Sequence, residues 1–286
     1  MKRYAELCMT LPDDETAEIV EAYLSDYPFE SFTQEQAADG KGVVLCAYIP
    51  EQEWTACRGQ VLQLLSHYGA QAACRLIESQ NWNAGWERES FSPIEIGGDM
   101  VIRAQWHSPR PEMGLFDIVV SPSMSFGSGH HATTRMMCLA VRRIDIAGLR
   151  VLDMGCGTGI LAIVAAKCGA RHVDAVDIDP WSVESCRRSI ALSGVEQSVT
   201  PIEGTVTEVA GKCYDAILAN INRNIILADM PHYAAMLAEG GDLLLSGFLA
   251  GDAAAVEECC RGFSLRLADA AADGEWRMLH FKKERS

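Results

Sequence analysis

No C-x-x-C pair occurs anywhere in this chain, although it holds eleven cysteines, at positions 8, 46, 57, 74, 138, 156, 168, 186, 213, 259 and 260. An odd count without paired spacing excludes a secreted disulfide scaffold and a zinc ribbon, and reduced, mostly buried thiols in a cytoplasmic protein are expected. Apolar runs are short as well. The start, Met1-Lys2-Arg3-Tyr4-Ala5-Glu6, meets charge before any stretch of signal-peptide length, and nothing approaches the ~18–20 apolar residues of a membrane span, so no membrane is expected as a partner. Basic charge is scarce: 24 Lys and Arg stand against 39 Asp and Glu, a net −15. Such a surface repels phosphate backbones, which disfavours nucleic acid and favours a lysine-rich protein partner. Internal repeats and low-complexity segments are missing too.

What is present divides in two. At 286 residues the chain is about twice the usual ~100–150-residue domain. Residues 1–78 carry 13 acidic and 5 basic side chains, net −8, and the remaining 208 residues carry 26 and 19, net −7. In the first part Tyr4–Thr10 reads as a strand. Asp13-Asp14-Glu15 then supplies an N-cap and a negative first turn for a helix whose Ile19, Val20, Tyr23, Leu24 and Tyr27 share a face. Strand-like segments near Phe29–Gln34 and Gly42–Ile49 flank the turn signal Ala38-Asp39-Gly40-Lys41. A second amphipathic helix carries Trp54, Cys57, Val61, Leu64 and Leu65, and Gly69 ends it before a strand near Ala72–Glu78. The order β-α-β-β-α-β is the ferredoxin-like plan, which names no ligand by itself. Residues 79–91, with Trp82 and Trp86 one helical turn apart, are expected to form a linker helix whose indoles pack against a domain. Short strands follow at Ile94–Ile96, Met100–Gln105 and Gly114–Val120 within the second domain, residues 92–286.

From Leu149 strands and helices alternate, the sequence form of a doubly wound α/β sheet. Strands are read at Leu149–Met154, His172–Ile178, Ser198–Ile202, Tyr214–Ala219, Leu243–Ser246, Ser264–Ala268 and Glu275–Phe281, with helices at Ile160–Lys167, Trp181–Leu192, Asn224–Leu237 and Ala253–Arg261. Ligands of such sheets sit outside the carboxyl ends of the strands. The turn Gly155-Cys156-Gly157-Thr158-Gly159, Asp177 and Asn220 all fall at such ends.

Two cofactors compete for the glycine turn. A dinucleotide fingerprint is G-x-G-x-x-G, with a pyrophosphate at the helix N-terminus. Here the spacing is G-x-G-x-G, and Asp153 precedes the first glycine by two residues. An anion there repels a pyrophosphate and attracts the ammonium and sulfonium of S-adenosylmethionine. Gly155 and Gly157 let the backbone approach the amino-acid part of that cofactor, and Asp177, 22 residues after Gly155, is placed to accept both ribose hydroxyls. The reading is a class I methyltransferase. Ahead of this domain's first strand, Ser125-Phe126-Gly127-Ser128-Gly129-His130-His131-Ala132-Thr133-Thr134 offers a glycine backbone able to fold over a ligand, a threonine to cap the following helix, and one active-site histidine. Adjacent histidines point apart and no third ligand is spaced to join them, so no metal is expected.

Phe126–Thr134, Val151–Leu161, Val176-Asp177-Ile178-Asp179-Pro180 and Ala219-Asn220-Ile221 together resemble, in that order, the ribosomal protein L11 methyltransferases of bacteria. The Phe-Gly loop is the specific part, because the glycine turn is common to many methyltransferases. The resemblance implies a cytosolic enzyme, expected as a monomer, that moves methyl groups from S-adenosylmethionine to lysine side chains and the α-amine of ribosomal protein L11. It implies cofactor contacts at Thr134, Gly155, Asp177 and Asn220, with Phe126, Asp153 and Gly157 beside them, and substrate recognition by the acidic first domain. Ser128 and Ala132 depart from the family, where threonine and, in some members, proline are usual. An amine attacks only when neutral, whereas free lysine titrates near ~10.4. Asn220 is the candidate to accept the amine's hydrogens and aim its lone pair, and His131 the candidate to relay the proton. Asn220-Ile221-Asn222-Arg223 lacks both prolines of the Asn-Pro-Pro-aromatic motif of related enzymes. A methyltransferase for RNA or a small molecule, and a non-catalytic ribosome-assembly factor, stand as alternatives.

Overall fold

The computed structural model of the protein describes residues 3–37, 42–70, 72–78, 91–121 and 129–285. The turn signal at 38–41, Trp82 and Trp86 of the linker, and Phe126 lie outside the described residues. The chain divides into two compact units, residues 1–84 and 85–286.

The first unit runs β1 (Arg3–Leu11), α1 (Asp14–Leu24), β2 (Ser31–Gln36), β3 (Val43–Pro50), α2 (Glu51–His67) and β4 (Ala72–Glu78), the β-α-β-β-α-β order expected from the sequence. Its strands form one antiparallel sheet, β2-β3-β1-β4. Period-two alternation puts Ala5, Leu7, Met9 and Leu11 of β1 and Val43, Leu45, Ala47 and Ile49 of β3 on one buried face. Val20 and Leu24 of α1 and Trp54, Cys57, Val61 and Leu65 of α2 cover that face. Asp13 caps α1 by accepting from Thr16 N at 2.8 Å, as its position predicts. One expectation is corrected here. Cys8 and Cys46 are joined as a disulfide, because β1 and β3 place them as direct cross-strand partners with Cα atoms 4.0 Å apart. Of the other cysteines, Cys57, Cys138, Cys156, Cys186 and Cys260 are buried free thiols, and Cys74 and Cys213 are exposed.

In the second unit β5 (Ile94–Ile96), β6 (Met100–Ala104) and β7 (Asp117–Val120) make a three-stranded sheet. Helix α3 (Ala132–Arg143) leads into β8 (Arg150–Met154), α4 (Ile160–Lys167), β9 (His172–Asp177), α5 (Pro180–Ser193), β10 (Val199–Glu203), β11 (Tyr214–Asn220), α6 (Arg223–Met236), β12 (Leu237–Leu249), α7 (Ala253–Arg261), β13 (Leu265–Asp273) and β14 (Trp276–Lys283). The seven-stranded sheet is ordered β10-β9-β8-β11-β12-β14-β13. Its first five strands are parallel, and β14 runs antiparallel between β12 and β13. The parallel strands are covered on both faces, so Val151, Leu152, Val173, Ala175, Ile217, Leu218, Leu243 and Leu244 are all buried, the uninterrupted apolar strand pattern of a doubly wound sheet. Strand order reverses between β8 and β11, and the crevice at that switch point is where such sheets bind ligands.

Candidate active site

Three strand ends meet at the switch point. After β8 the chain turns through Gly155, Gly157 and Gly159 at φ 70°, 52° and 84°, the left-handed region that disfavours any side chain. The turn is tied to β9. Gly155 N and Cys156 N both donate to Val176 O, at 2.8 and 3.0 Å, and Gly157 N donates to Asp177 Oδ2 at 2.8 Å. A Cβ on Gly155 would lie 2.1 Å from Ile221 Cγ2, so the turn is pressed against the end of β11.

Two carboxylates flank the turn. Asp153, in β8, is buried; its Oδ2 accepts from Ala162 N of α4 at 3.0 Å, and its Oδ1 has no partner among the described residues. Desolvation pushes this carboxyl up to about 7, with the Ala162 bond opposing and the Asp177 charge adding. An orphaned buried carboxylate oxygen is costly, and a ligand that brings a cationic donor removes the cost. Asp177, at the end of β9, accepts from Gly157 N and, through Oδ1, from Asp179 N at 3.0 Å. Burial raises it as well. The backbone N–H groups of Asp179, Gly157 and Ile178 oppose that rise, and the carboxylate keeps acceptor capacity for a hydroxyl donor. Ile178 and Trp181, next along the chain, are each 73% exposed, an apolar rim beside that carboxylate. Asp179 caps α5 through Trp181 N and Ser182 N.

The third strand end carries Asn220. Its Nδ2 donates to Thr134 Oγ1 at 3.5 Å, and its buried Oδ1 has no partner among the described residues. Thr134 is buried in the first turn of α3. The helix cap is not a threonine, as expected, but His131, whose Nδ1 accepts from Thr133 N at 3.3 Å and meets Thr133 Oγ1 at 2.7 Å. Burial, with the Arg135 charge, pushes His131 down to about 4. Its Nδ1 is engaged by the cap, and burial disfavours the charged form of the ring. Asp153, Gly155, Gly157, Asp177, Thr134 and Asn220 thus line adjoining strand ends and the helix start beside them.

The family described as Ribosomal protein L11 methyltransferase (PrmA) matches residues 12–284. The chain belongs to the ribosomal protein L11 methyltransferase family. The ribosomal protein L11 methyltransferase of Porphyromonas gingivalis is 38% identical over 279 residues, covering 94% of this chain and 93% of that protein. Its counterpart from Phocaeicola vulgatus is 34% identical over 285 residues, covering 98% and 99%. The crystal structure of a ribosomal protein L11 methylase from Lactobacillus delbrueckii subsp. bulgaricus is similar with a TM-score of 0.62 at 27% identity, over 68% of this chain and 99% of that one. A methyltransferase from Pyrococcus furiosus, with a TM-score of 0.51 at 18% identity over 60% of this chain and 92% of that one, shares the fold alone.

Membership in this methyltransferase family makes S-adenosylmethionine the group to test against the site, and the residues present fit it. Asp153 Oδ1 is an unmet acceptor suited to the cofactor's ammonium, and Asp177 has acceptor sites for its ribose diol. A pyrophosphate would face both carboxylates. Gly247 has no part in the sequence motifs, and Ile221 stands in them only as the neighbour of Asn220. Gly247, at φ 96°, would put a Cβ 2.4 Å from Ile221 O, and Ile221 itself is wedged between Gly155 and Gly247 with its N–H bonded to Ser246 O at 3.1 Å. The available signal was a glycine inside the apolar run Leu243–Leu249, which marks the bulge between Ser246 and Phe248.

Proposed function

We propose that this protein transfers methyl groups from S-adenosylmethionine to lysine side chains and the α-amine of ribosomal protein L11. The observation that carries the reading is the buried, unpartnered Oδ1 of Asn220, a neutral acceptor beside two carboxylates suited to a cationic cofactor. When bound, the cofactor supplies an electrophilic methyl on a sulfonium. Asp153 offsets the positive charge of the amino-acid part and Asp177 holds the ribose. Asn220 Oδ1 accepts an N–H of the substrate amine and so directs the lone pair, while Thr134 Oγ1 holds the amide's other end. The desolvated strand end favours the neutral amine over the ammonium. Positioning supplies most of the rate in such a displacement.

The charge of residues 1–78, net −8, supports the first unit as the docking element for a lysine-rich ribosomal protein. Among the described residues no helix is long and apolar enough to cross a membrane. The test is transfer of tritiated methyl groups to purified ribosomal components. Label in L11, lost in Asn220→Ala, supports the proposal; label in RNA alone, or cofactor binding without transfer, would establish one of the alternatives instead.

A further inference from the structure

We propose that Trp276, at the tip of the β13–β14 hairpin, is a positioning residue for methyl transfer: it holds His131, and through the cap made by His131 it sets Thr134 against Asn220. The inference rests on the function proposed above and deepens it.

The indole of Trp276 and the imidazole of His131 meet edge to face, with centroids 4.3 Å apart and planes at 73°. Aromatic quadrupoles attract in this geometry. The same imidazole uses Nδ1 to cap α3, so one ring links the hairpin to the helix start. A second tie runs beside it. Arg135, in the first turn of α3, donates to the backbone carbonyl of His130 and pairs with Asp273 Oδ2 of the hairpin at 2.8 Å. Asp273 and Trp276 therefore hold the start of α3 on either side of Thr134. The hairpin is itself anchored beside the site: Trp276 pairs with Leu249 of β12, and Ser246 Oγ donates to Arg277 O at 2.7 Å. Ser246 is the register partner of Asn220. The hairpin end of the strut thus rests on β12, the register neighbour of the strand that carries the acceptor amide. The Asn220–Thr134 bond is at the outer limit of hydrogen-bond length, 3.5 Å, so a shift of α3 by a few tenths of an ångström would break it and free the amide to rotate.

The test uses the full chain, with kcat and KM for purified L11, cofactor affinity by calorimetry, and the His131 titration by NMR. Trp276→Leu is expected to lower kcat about 10-fold, with KM and cofactor affinity within about twofold, and to move His131 from about 4 toward its ordinary 6.5. Trp276→Phe keeps a ring edge against His131 and should recover most of kcat. Should Trp276→Leu fail to fold, Asp273→Asn, whose side chain is 45% exposed, loosens the Arg135 tie and removes a carboxylate charge that raises His131, and should lower kcat about threefold with an unchanged melting temperature. A folded Trp276→Leu with kcat within about twofold of wild type, equal losses for Leu and Phe, or an unmoved His131 titration would overturn the proposal. If the wild-type protein transfers no methyl group to L11, the functional reading fails instead, and the His131 titration still tests the strut.

Discussion

Replacing Gly155 with alanine tests whether the glycine turn and the acceptor strand end are mechanically joined. Two costs arise. The residue sits at φ 70°, where a side chain costs about 1–2 kcal/mol. Its new Cβ would lie 2.1 Å from Ile221 Cγ2, well inside contact distance. Ile221 cannot yield alone, because its N–H is bonded to Ser246 O and its backbone lies against Gly247. Overpacking of this kind adds about 1–3 kcal/mol. Gly155→Ala should therefore lose roughly 2–5 kcal/mol of stability. Ile221→Ala separates the two terms, since it removes Cγ2 and leaves the backbone cost. The double variant should be less destabilised than the sum of the single variants by about 1–3 kcal/mol. Denaturant unfolding of the four proteins of this cycle measures the coupling. Strict additivity would show that the turn and Ile221 are not pressed together, and would refute the link.

Two further outcomes follow from the carboxylates. Asp177→Ala should abolish S-adenosylmethionine binding in calorimetry while the protein stays folded; normal affinity would reject Asp177 as the ribose acceptor. Asp153 adds a pH dependence. Its folded-state carboxyl is raised from 3.8 to about 7, so between those values the folded protein holds a proton that the unfolded chain has lost. Stability should fall as pH rises through that window and level off above about 7. Cofactor affinity should change in the opposite direction, rising to about pH 7 and then levelling, because a cationic ligand prefers the ionised carboxylate. Asp153→Asn should flatten both profiles. The same slopes persisting in that variant would move the titration to another group, with Asp177 next in line.

The parts of the fold legible in the sequence were those set by local periodicity and turn chemistry. Asp13 caps its helix where a carboxylate precedes an apolar stripe, and Val183, Cys186 and Ile190 of α5 are buried as their spacing requires. Asp153, Gly155, Asp177 and Asn220 could be placed at strand ends before any coordinate, because parallel strands put their functional residues there. What escaped depends on residues distant in sequence. The Cys8–Cys46 pair, 38 residues apart, needs the β1–β3 register. Trp276 reads as one more core aromatic until β14 is known to insert beside β12, which brings it to His131. The sequence also offers Thr133 and Thr134 as better caps than His131, yet the helix starts at Ala132, at least two residues earlier than that preference implies.

In the proposed reading the two orphaned oxygens explain why one strand end carries an aspartate and the next an asparagine. β8 and β11 are neighbours, with Asp153 opposite Leu218 and Met154 opposite Ala219, so Asp153 Oδ1 and Asn220 Oδ1 serve one crevice. The ligand proposed for Asp153 is permanently cationic, and a carboxylate gains by its presence. The ligand proposed for Asn220 must arrive without charge. A carboxylate at 220 would offer the same acceptor oxygen, but its charge would stabilise the ammonium and raise the amine's pKa above an already high ~10.4. That would hold the nucleophile in the form that cannot attack. A neutral amide accepts the N–H, orients the lone pair and leaves the proton equilibrium to desolvation, which favours the free amine. The same contrast fits the surroundings: the buried carboxylate bonds a backbone N–H of α4, whereas the amide is held by the hydroxyl of Thr134, an uncharged partner that adds nothing to the field at the attacking nitrogen.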